Sequence, residues 1–258
     1  MNKLPLAASA LMLLGLASSC RAQDDVLPPV TPYRPSVSSP AQLPAPGQLE
    51  MELGGLSIKG DDGRRNSLPT TFKLGFNEEW GVVVSGESLV SAPDGNGGRA
   101  RGLGDTVLVL KRAFLIDDAT AFGLELGAKV PTAREAVGGS GKADYDLNGI
   151  FSRDIGTLHM DLNLNATRLG AIDPGTGRTQ TGLSASFSAP LAERWGVNWE
   201  WSGTRRSGAD STAQFLLAAT YSPTKRLTFD AGVVRGLNGA TPDWAFFTGV
   251  VFPLGKLW

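Results

Sequence analysis

The sequence contains one cysteine and one histidine among 258 residues. A single Cys excludes an internal disulfide framework and a Cys-based zinc site. Every His-dependent catalytic scheme must use His159. No Gly-x-Ser-x-Gly elbow of the hydrolase kind occurs. Beyond the start of the chain there is no run of about twenty apolar residues, which excludes a helical membrane bundle. It does not exclude a membrane barrel, because alternating strands average to a near-neutral hydropathy, and the mean hydropathy is -0.05. A charge excess is lacking too. The 24 Lys and Arg nearly balance 25 Asp and Glu, which gives no general reason to expect nucleic acid as a partner.

What the chain does contain is alternation. Phe122, Leu124, Leu126, Ala128 and Val130 alternate with Ala121, Gly123, Glu125, Gly127 and Lys129. Tyr145, Leu147, Gly149 and Phe151 alternate with Asp144, Asp146, Asn148 and Ser152, and Leu158 to Ala166 alternate with His159 to Thr167. A period of two over about ten residues marks strands with one apolar and one polar face.

The first residues read as an export signal. Lys3 supplies a short positive region, and Leu4 to Leu16 are mostly apolar but too short to span stably,. Cleavage after Ala22 gives a signal peptide over 1–22. Leu16-Ala17-Ser18-Ser19-Cys20 also resembles a lipobox, which would leave Cys20 lipidated. Residues 23–47 carry Pro28, Pro29, Pro32, Pro35, Pro40, Pro44 and Pro46. That density forbids ladders and helices and predicts an extended periplasmic tether.

Residues 48–258 read as one all-β domain, an antiparallel up-and-down transmembrane barrel of about 12 strands. The strand candidates are 49–58, 69–76, 80–89, 103–115, 119–130, 142–153, 157–168, 178–189, 195–204, 211–222, 226–235 and 243–254. Leu53 and Leu56 are out of phase across Gly54-Gly55, where a bulge would restore the alternation. Short connections alternate strictly with longer ones near 59–68, 90–102, 131–141, 169–177, 205–210 and 236–242. Outer-membrane barrels have short periplasmic turns, longer external loops, an even strand number and periplasmic termini. Phe76, Trp80, Phe114, Phe122, Phe151, Phe187, Trp195, Tyr221 and Phe252 fall near the short-turn ends. Tyr145, Trp201, Phe215 and Trp244 fall towards the long-loop ends, giving two aromatic girdles,. A soluble barrel would instead point its apolar face inward, and would bury many charges at high cost.

The expected lumen face carries Glu125, Lys129, Asp144, Asp146, Asn148, His159, Asp161, Asn163, Glu200 and Asp230. Glu50, Glu52 and Glu87 join it, with Lys73 and Lys111 as further cations, so an open lumen should disfavour anions. Asp144, Asp146 and Asp161 could hold a cation, but carboxylates without a site are the plainer reading. His159 falls opposite about residue 187, near Ser186 and Ser188, which makes a Ser–His–acid cluster conceivable. The loop arginines Arg64, Arg65, Arg99, Arg101, Arg134, Arg205 and Arg206 could meet lipopolysaccharide phosphates,.

Gly102-Leu103-Gly104-Asp105 opens the fourth of these strands and leads into Thr106 to Lys111, Lys129-Val130-Pro131-Thr132 closes the next, and a Gly138-Gly139-Ser140-Gly141 loop follows. With Leu237-Asn238-Gly239-Ala240-Thr241-Pro242-Asp243-Trp244 before the last strand, this order resembles the outer-membrane transporter-like family named for the MetA pathway of phenol degradation. Ala133 stands where that family often has Gly. The resemblance implies a Gram-negative outer-membrane barrel that passes small, often aromatic or hydrophobic, compounds, and it brings no catalytic residues. Thr248 to Leu254 also fit the last-strand pattern handed to the barrel-assembly machinery.

The expectation is therefore a non-enzymatic, porin-like channel for small-molecule solutes, surrounded by outer-membrane lipids and lipopolysaccharide, with no cofactor, metal or nucleic acid. The alternatives are a closed structural or adhesive barrel and a membrane-embedded hydrolase using His159.

Overall fold

The computed structural model describes residues 27–60 and 63–258. The signal peptide over 1–22, Cys20 and residues 23–26 lie outside the described residues. The strands are β1 (Gln48–Gly60), β2 (Gly63–Gly75), β3 (Trp80–Pro93), β4 (Arg99–Gly102), β5 (Thr106–Asp117), β6 (Thr120–Val130) and β7 (Asp144–Ile155). They continue with β8 (Leu158–Arg168), β9 (Thr179–Ala192), β10 (Trp195–Arg206), β11 (Thr212–Thr224), β12 (Leu227–Gly236) and β13 (Trp244–Lys256). Every ladder between them is antiparallel. β1 pairs with β13 and β2 with β3, so twelve strands close into a ring, as the strand count predicts. β4 is extra. It pairs only with the end of β3, while β5 pairs with β3 over Trp80–Ser85 alone.

Two expected loops are sheet instead. The region 59–68 continues the β1–β2 ladder up to Gly60↔Gly63, and 90–102 contains the β3–β4 hairpin. Both hairpins extend the wall at the long-loop end. The bulge expected at Gly54-Gly55 is absent, because Gly54 pairs with Gly249 and Gly55 with Thr248 in unbroken register. Leu56 and Ile58 therefore share the inward phase of Glu50 and Glu52. The irregularities that do occur fall elsewhere, and all but the one between Leu115 and Asp117 lie at proline. Pro69, Pro190, Pro223 and Pro253 each sit at or beside a register shift. A residue without an N–H cannot donate to the ladder, so bulges absorb it.

The apolar face points outward. Leu108, Leu110, Leu124, Leu126, Leu147, Leu164, Leu183, Leu217 and Phe246 are exposed, whereas Lys73, Lys111, Glu50, Ser152 and Glu200 are fully buried. That inversion relative to a soluble barrel defines a lipid-facing wall. Aromatic pairs lie at the short-turn end, Phe122 with Phe151 at 5.1 Å and Trp195 with Tyr221 at 4.8 Å. Trp244 and Phe246 stack at 6.3 Å towards the other end.

Residues 27–47 are not a free tether. Val30 N–H donates to the Lys225 carbonyl in the β11–β12 turn, and Gly47 N–H donates to the Gly75 carbonyl beside β1. Between these anchors, both at the short-turn end, the segment rises into the barrel and returns. It forms a plug.

Candidate functional site

A proline-rich segment has few backbone donors and no ladder to accept them, so the wall must supply acceptors. It does so with side chains. Glu50 accepts from Thr31 N–H at 3.0 Å, and Glu52 from Tyr33 N–H at 2.8 Å. Glu200 accepts from Val37 and Ser38 N–H at 2.9 and 3.0 Å. Asn163 brackets Ser39, accepting from its N–H and donating to its carbonyl, each at 2.9 Å. Ser152 Oγ accepts from Ala41 N–H at 2.8 Å. The apolar contacts are small, with Ala41 against Ala121 and Ile150.

Two ion clusters hold the plug. Lys73 Nζ lies 3.0 Å from Glu50 and 2.6 Å from Glu52, and Lys111 Nζ lies 3.0 Å from Glu125. The two ammoniums sit 4.3 and 4.2 Å from the Tyr33 ring centroid. Lys73 also donates to the Thr31 carbonyl and Lys111 to the Pro40 carbonyl. Burial, then Glu125, Glu50 and Glu52, hold the Tyr33 phenol well above its ordinary pKa. The ring stays neutral and meets both cations through its quadrupole. Opposite this cluster, Arg34 makes a bidentate pair with Asp230, Nε to Oδ2 and Nη2 to Oδ1 at 3.0 Å each. Its guanidinium fits because Gly54 and Gly249 face it. A Cβ at either would stand 2.6 or 2.3 Å from an Arg34 nitrogen.

The residues expected on the lumen face fall into three groups. Glu125, Asn148, Asn163, Glu200 and Asp230 are buried around the plug, with Asn148 donating to Glu125 and to Asn163 at 2.9 Å each. Lys129 pairs with Asp144 at 2.7 Å towards the long-loop end, and Asp146 accepts from Thr167 there. His159 and Asp161 lie towards the short-turn end. His159 Nδ1 faces Asp154 at 2.5 Å and Nε2 faces Asp161 at 3.2 Å. Both ring nitrogens thus meet carboxylates, and neither is aimed at Ser186 or Ser188. Asp144, Asp146 and Asp161 have separate partners, and no cluster able to hold a metal forms among the described residues.

Reading the sequence alone missed the plug residues Tyr33, Arg34, Ser36 and Ser38. Its only signal was an aromatic and an arginine side by side within the proline run. It also missed the inward-facing Leu56 and Ile58.

Among the described residues, three recesses inside the barrel stand out. One of about 440 Å³ lies at the short-turn end, between Pro32–Pro35 of the plug and His159, Asn198, Thr220 and Thr228. On the other side of the plug, a polar recess of about 380 Å³ is lined by Glu125, Asp146, Asn148, Asn163, Ser184 and Ser202. Beside it an apolar recess of about 270 Å³ is lined by Leu56, Ile58, Leu216, Val234 and Phe247. Val37 and Gln214 border both.

A closed antiparallel ring with an apolar exterior and a polar, plugged interior defines a transmembrane β-barrel,. The model of the family described as "Putative MetA-pathway of phenol degradation" matches residues 34–254, and the chain belongs to that family. The match begins at Arg34, inside the plug.

Among solved structures, the COG4313 outer membrane channel from Pseudomonas putida F1 is similar at 14% identity, covering 87% of this chain and 100% of that one, with a TM-score of 0.63. The NanC porin is similar at 11% identity, covering 80% and 100%, with a TM-score of 0.57. The KdgM porin is similar at 9%, covering 80% and 99%, also with a TM-score of 0.57. At these identities the likeness is one of fold. A sequence search of curated proteins finds no match.

Proposed function

We propose that this chain is an outer-membrane channel for small molecules with an apolar or aromatic body and a polar end, and that its plug governs when the path is open. The supporting observation is the pair of recesses on the long-loop side of the plug. Leu56, Ile58, Leu216, Val234 and Phe247 line one side of Val37, and Asn148, Asn163, Ser184 and Ser202 line the other. A solute with two faces finds a partner for each, whereas a fully hydrated ion or sugar would leave the apolar wall unmatched. The family's association with phenol degradation fits such a solute.

Barrels of this kind keep short turns in the periplasm. On that rule the plug enters from the periplasm and the recesses open outward. Both ends of the barrel chain then lie inside the envelope, Leu257 N–H donating to the Gly47 carbonyl beside the plug's exit. The last strand, β13, is read as the segment presented to the barrel-assembly machinery. With the plug seated, Glu50, Glu52, Glu125, Glu200 and Asp230 are each engaged by a cation or an amide. Displacing it exposes five carboxylates against Lys73 and Lys111, a wall that leans toward cations.

Ser38 Oγ donates to Ser184 Oγ at 2.8 Å, which places the two side chains where a disulfide can replace the hydrogen bond,. With both residues changed to Cys, liposomes should take up a small phenolic solute when the pair is reduced and not when it is oxidised. Equal uptake in both states would refute plug control. No uptake in either, from a barrel shown to be folded, would favour a closed structural barrel.

A further inference from the structure

The outer surface of the two hairpins that rise above the ring carries side chains unlike the rest of the wall. β2 alternates with Lys73 and Ser67 inward, so Arg64, Asn66, Leu68 and Thr70 face out. Lys59 of β1 lies opposite Arg64, and Ser91 of β3 lies opposite both Asn66 and Arg101 of β4. Arg99 reaches across the sheet, donating through Nη2 to the Arg64 carbonyl at 3.0 Å and through Nε to Ser91 Oγ at 2.8 Å. The result is a cationic rim of Lys59 on β1, Arg64 on β2, and Arg99 and Arg101 on β4, with Ser91 of β3 between. Lys59 and Arg101 have no polar partner among the described residues. Asp94 at the β3–β4 tip is turned into its own loop, accepting from the Asn96 and Gly98 N–H groups at 2.9 and 2.8 Å. Arg65 and Glu87 neutralise each other on the opposite, inward face.

Directly below the cations the wall becomes apolar. Leu68, Leu89 and Leu103 are 40, 45 and 61% exposed. Beneath them a groove of about 260 Å³ runs down the outside of the barrel, lined by Phe72, Val84, Gly86, Leu103, Thr70 and Thr106. The groove lies where the β3–β5 ladder stops at Ser85↔Val107 and Gly86 carries no side chain, so the backbones can stay close, Gly104 N–H donating to the Glu87 carbonyl at 2.8 Å. Cations, then hydroxyls and leucines, then an apolar furrow, descend in the order of a lipid with an anionic head and acyl chains.

We infer that this face binds a phosphorylated, multiply acylated glycolipid of the outer leaflet, with its phosphates on Lys59, Arg64, Arg99 and Arg101 and an acyl chain in the furrow. Guanidinium groups suit phosphate because they donate in a planar fork. A single-chained or singly charged lipid satisfies only part of the arrangement. The inference rests on the proposed orientation, with the long-loop end outside.

Native mass spectrometry of the full chain in detergent, titrated with bisphosphorylated lipid A, its phosphate-free form or phosphatidylglycerol, tests it. Lipid A should bind about tenfold more tightly than either comparison lipid, since several charge-assisted contacts act together. The double substitution Lys59→Glu and Arg101→Glu touches no hydrogen bond in the fold and should reduce lipid A binding about tenfold. The equivalent pair Arg168→Glu and Arg205→Glu, on outward positions of β8 and β10, should leave binding within twofold. Equal binding of phosphorylated and phosphate-free lipid A, or equal losses from both double variants, would overturn the site. Labelling of a Gly239→Cys variant, at an exposed position of the β12–β13 loop where a side chain would meet nothing within 4 Å, on intact cells separates the two ideas. A label that needs permeabilised cells overturns the orientation. External labelling without lipid preference overturns the lipid site alone.

Discussion

Replacing Arg34 by Met removes the cation that links the plug to the β12 side of the wall while keeping most of the side chain's bulk. Arg34 makes two 3.0 Å bonds to Asp230, one of 3.2 Å to the Thr248 carbonyl, and lies 5.9 Å over Phe247. The Asp230 side chain is 1% exposed, so the substitution leaves a carboxylate buried without its partner. Breaking one side of such a pair costs about 3 kcal/mol. The carboxylate can recover hydration only if the plug moves aside, so the cost shifts the plug equilibrium. At about 1.4 kcal/mol per factor of ten, the displaced fraction rises about a hundredfold. A Cys at position 186, buried against Ser36 in the intact protein, reports that fraction through its rate of modification by a water-soluble thiol reagent. Arg34→Met should raise the rate about a hundredfold. Adding Asp230→Leu, which removes the stranded charge, should bring it back to within about tenfold of the parent, because apolar replacement of both partners is nearly neutral. A change below threefold for the single variant, or a double variant as reactive as the single, would refute the assignment of Arg34 as a plug anchor.

Gly249→Val should displace the plug without altering any charge, since its Cβ would lie 2.3 Å from Arg34 Nε; the same thiol assay should show faster modification while the barrel still migrates as a folded species in unheated gels. Lys73→Met strands Glu50 and Glu52 together and should lower stability by about 3–5 kcal/mol, read as a lower denaturant midpoint for barrel unfolding. Leu216→Glu puts a carboxylate into the apolar recess and should reduce binding of a fluorescent aromatic probe at least tenfold, whereas Ser202→Ala in the polar recess should change it less than threefold.

The barrel was legible because its signal is repeated. Each strand restates the alternation, and strict turn–loop alternation orders the strands without knowledge of any contact. The inner wall was readable one residue at a time for the same reason, so Glu125, Asn148 and Asn163 could be placed on one face. Two features escaped. Proline density correctly ruled out ladders for 27–47, but an absence of regular structure says nothing about what surrounds a segment. Nothing local shows that Glu200 will accept from Val37, a partner 163 residues away. The second miss came from trusting the period too far. A bulge at Gly54-Gly55 would turn Leu56 and Ile58 outward to lipid, whereas β1 keeps its register and points them inward. Conversely, four of the five real irregularities are marked in the sequence by Pro69, Pro190, Pro223 and Pro253, and the one at Leu115–Asp117 carries no such mark.

The path of the plug also orders assembly in time. Wall ladders join strands that are neighbours in the chain, apart from the β1–β13 seam and the β3–β5 ladder that skips β4, and can form as each hairpin arrives. The plug's bonds to Ser152, Asn163, Ser184, Glu200 and Asp230 span 111 to 196 residues. Contacts of such separation form late, because the intervening chain must first be gathered. Arg34 has no Asp230 to grip until β12 is in place, and Gly249 of the closing strand completes its slot. The plug residues, which precede every strand in the chain, are thus among the last to be fixed, and a seated plug certifies that the ring behind it has closed.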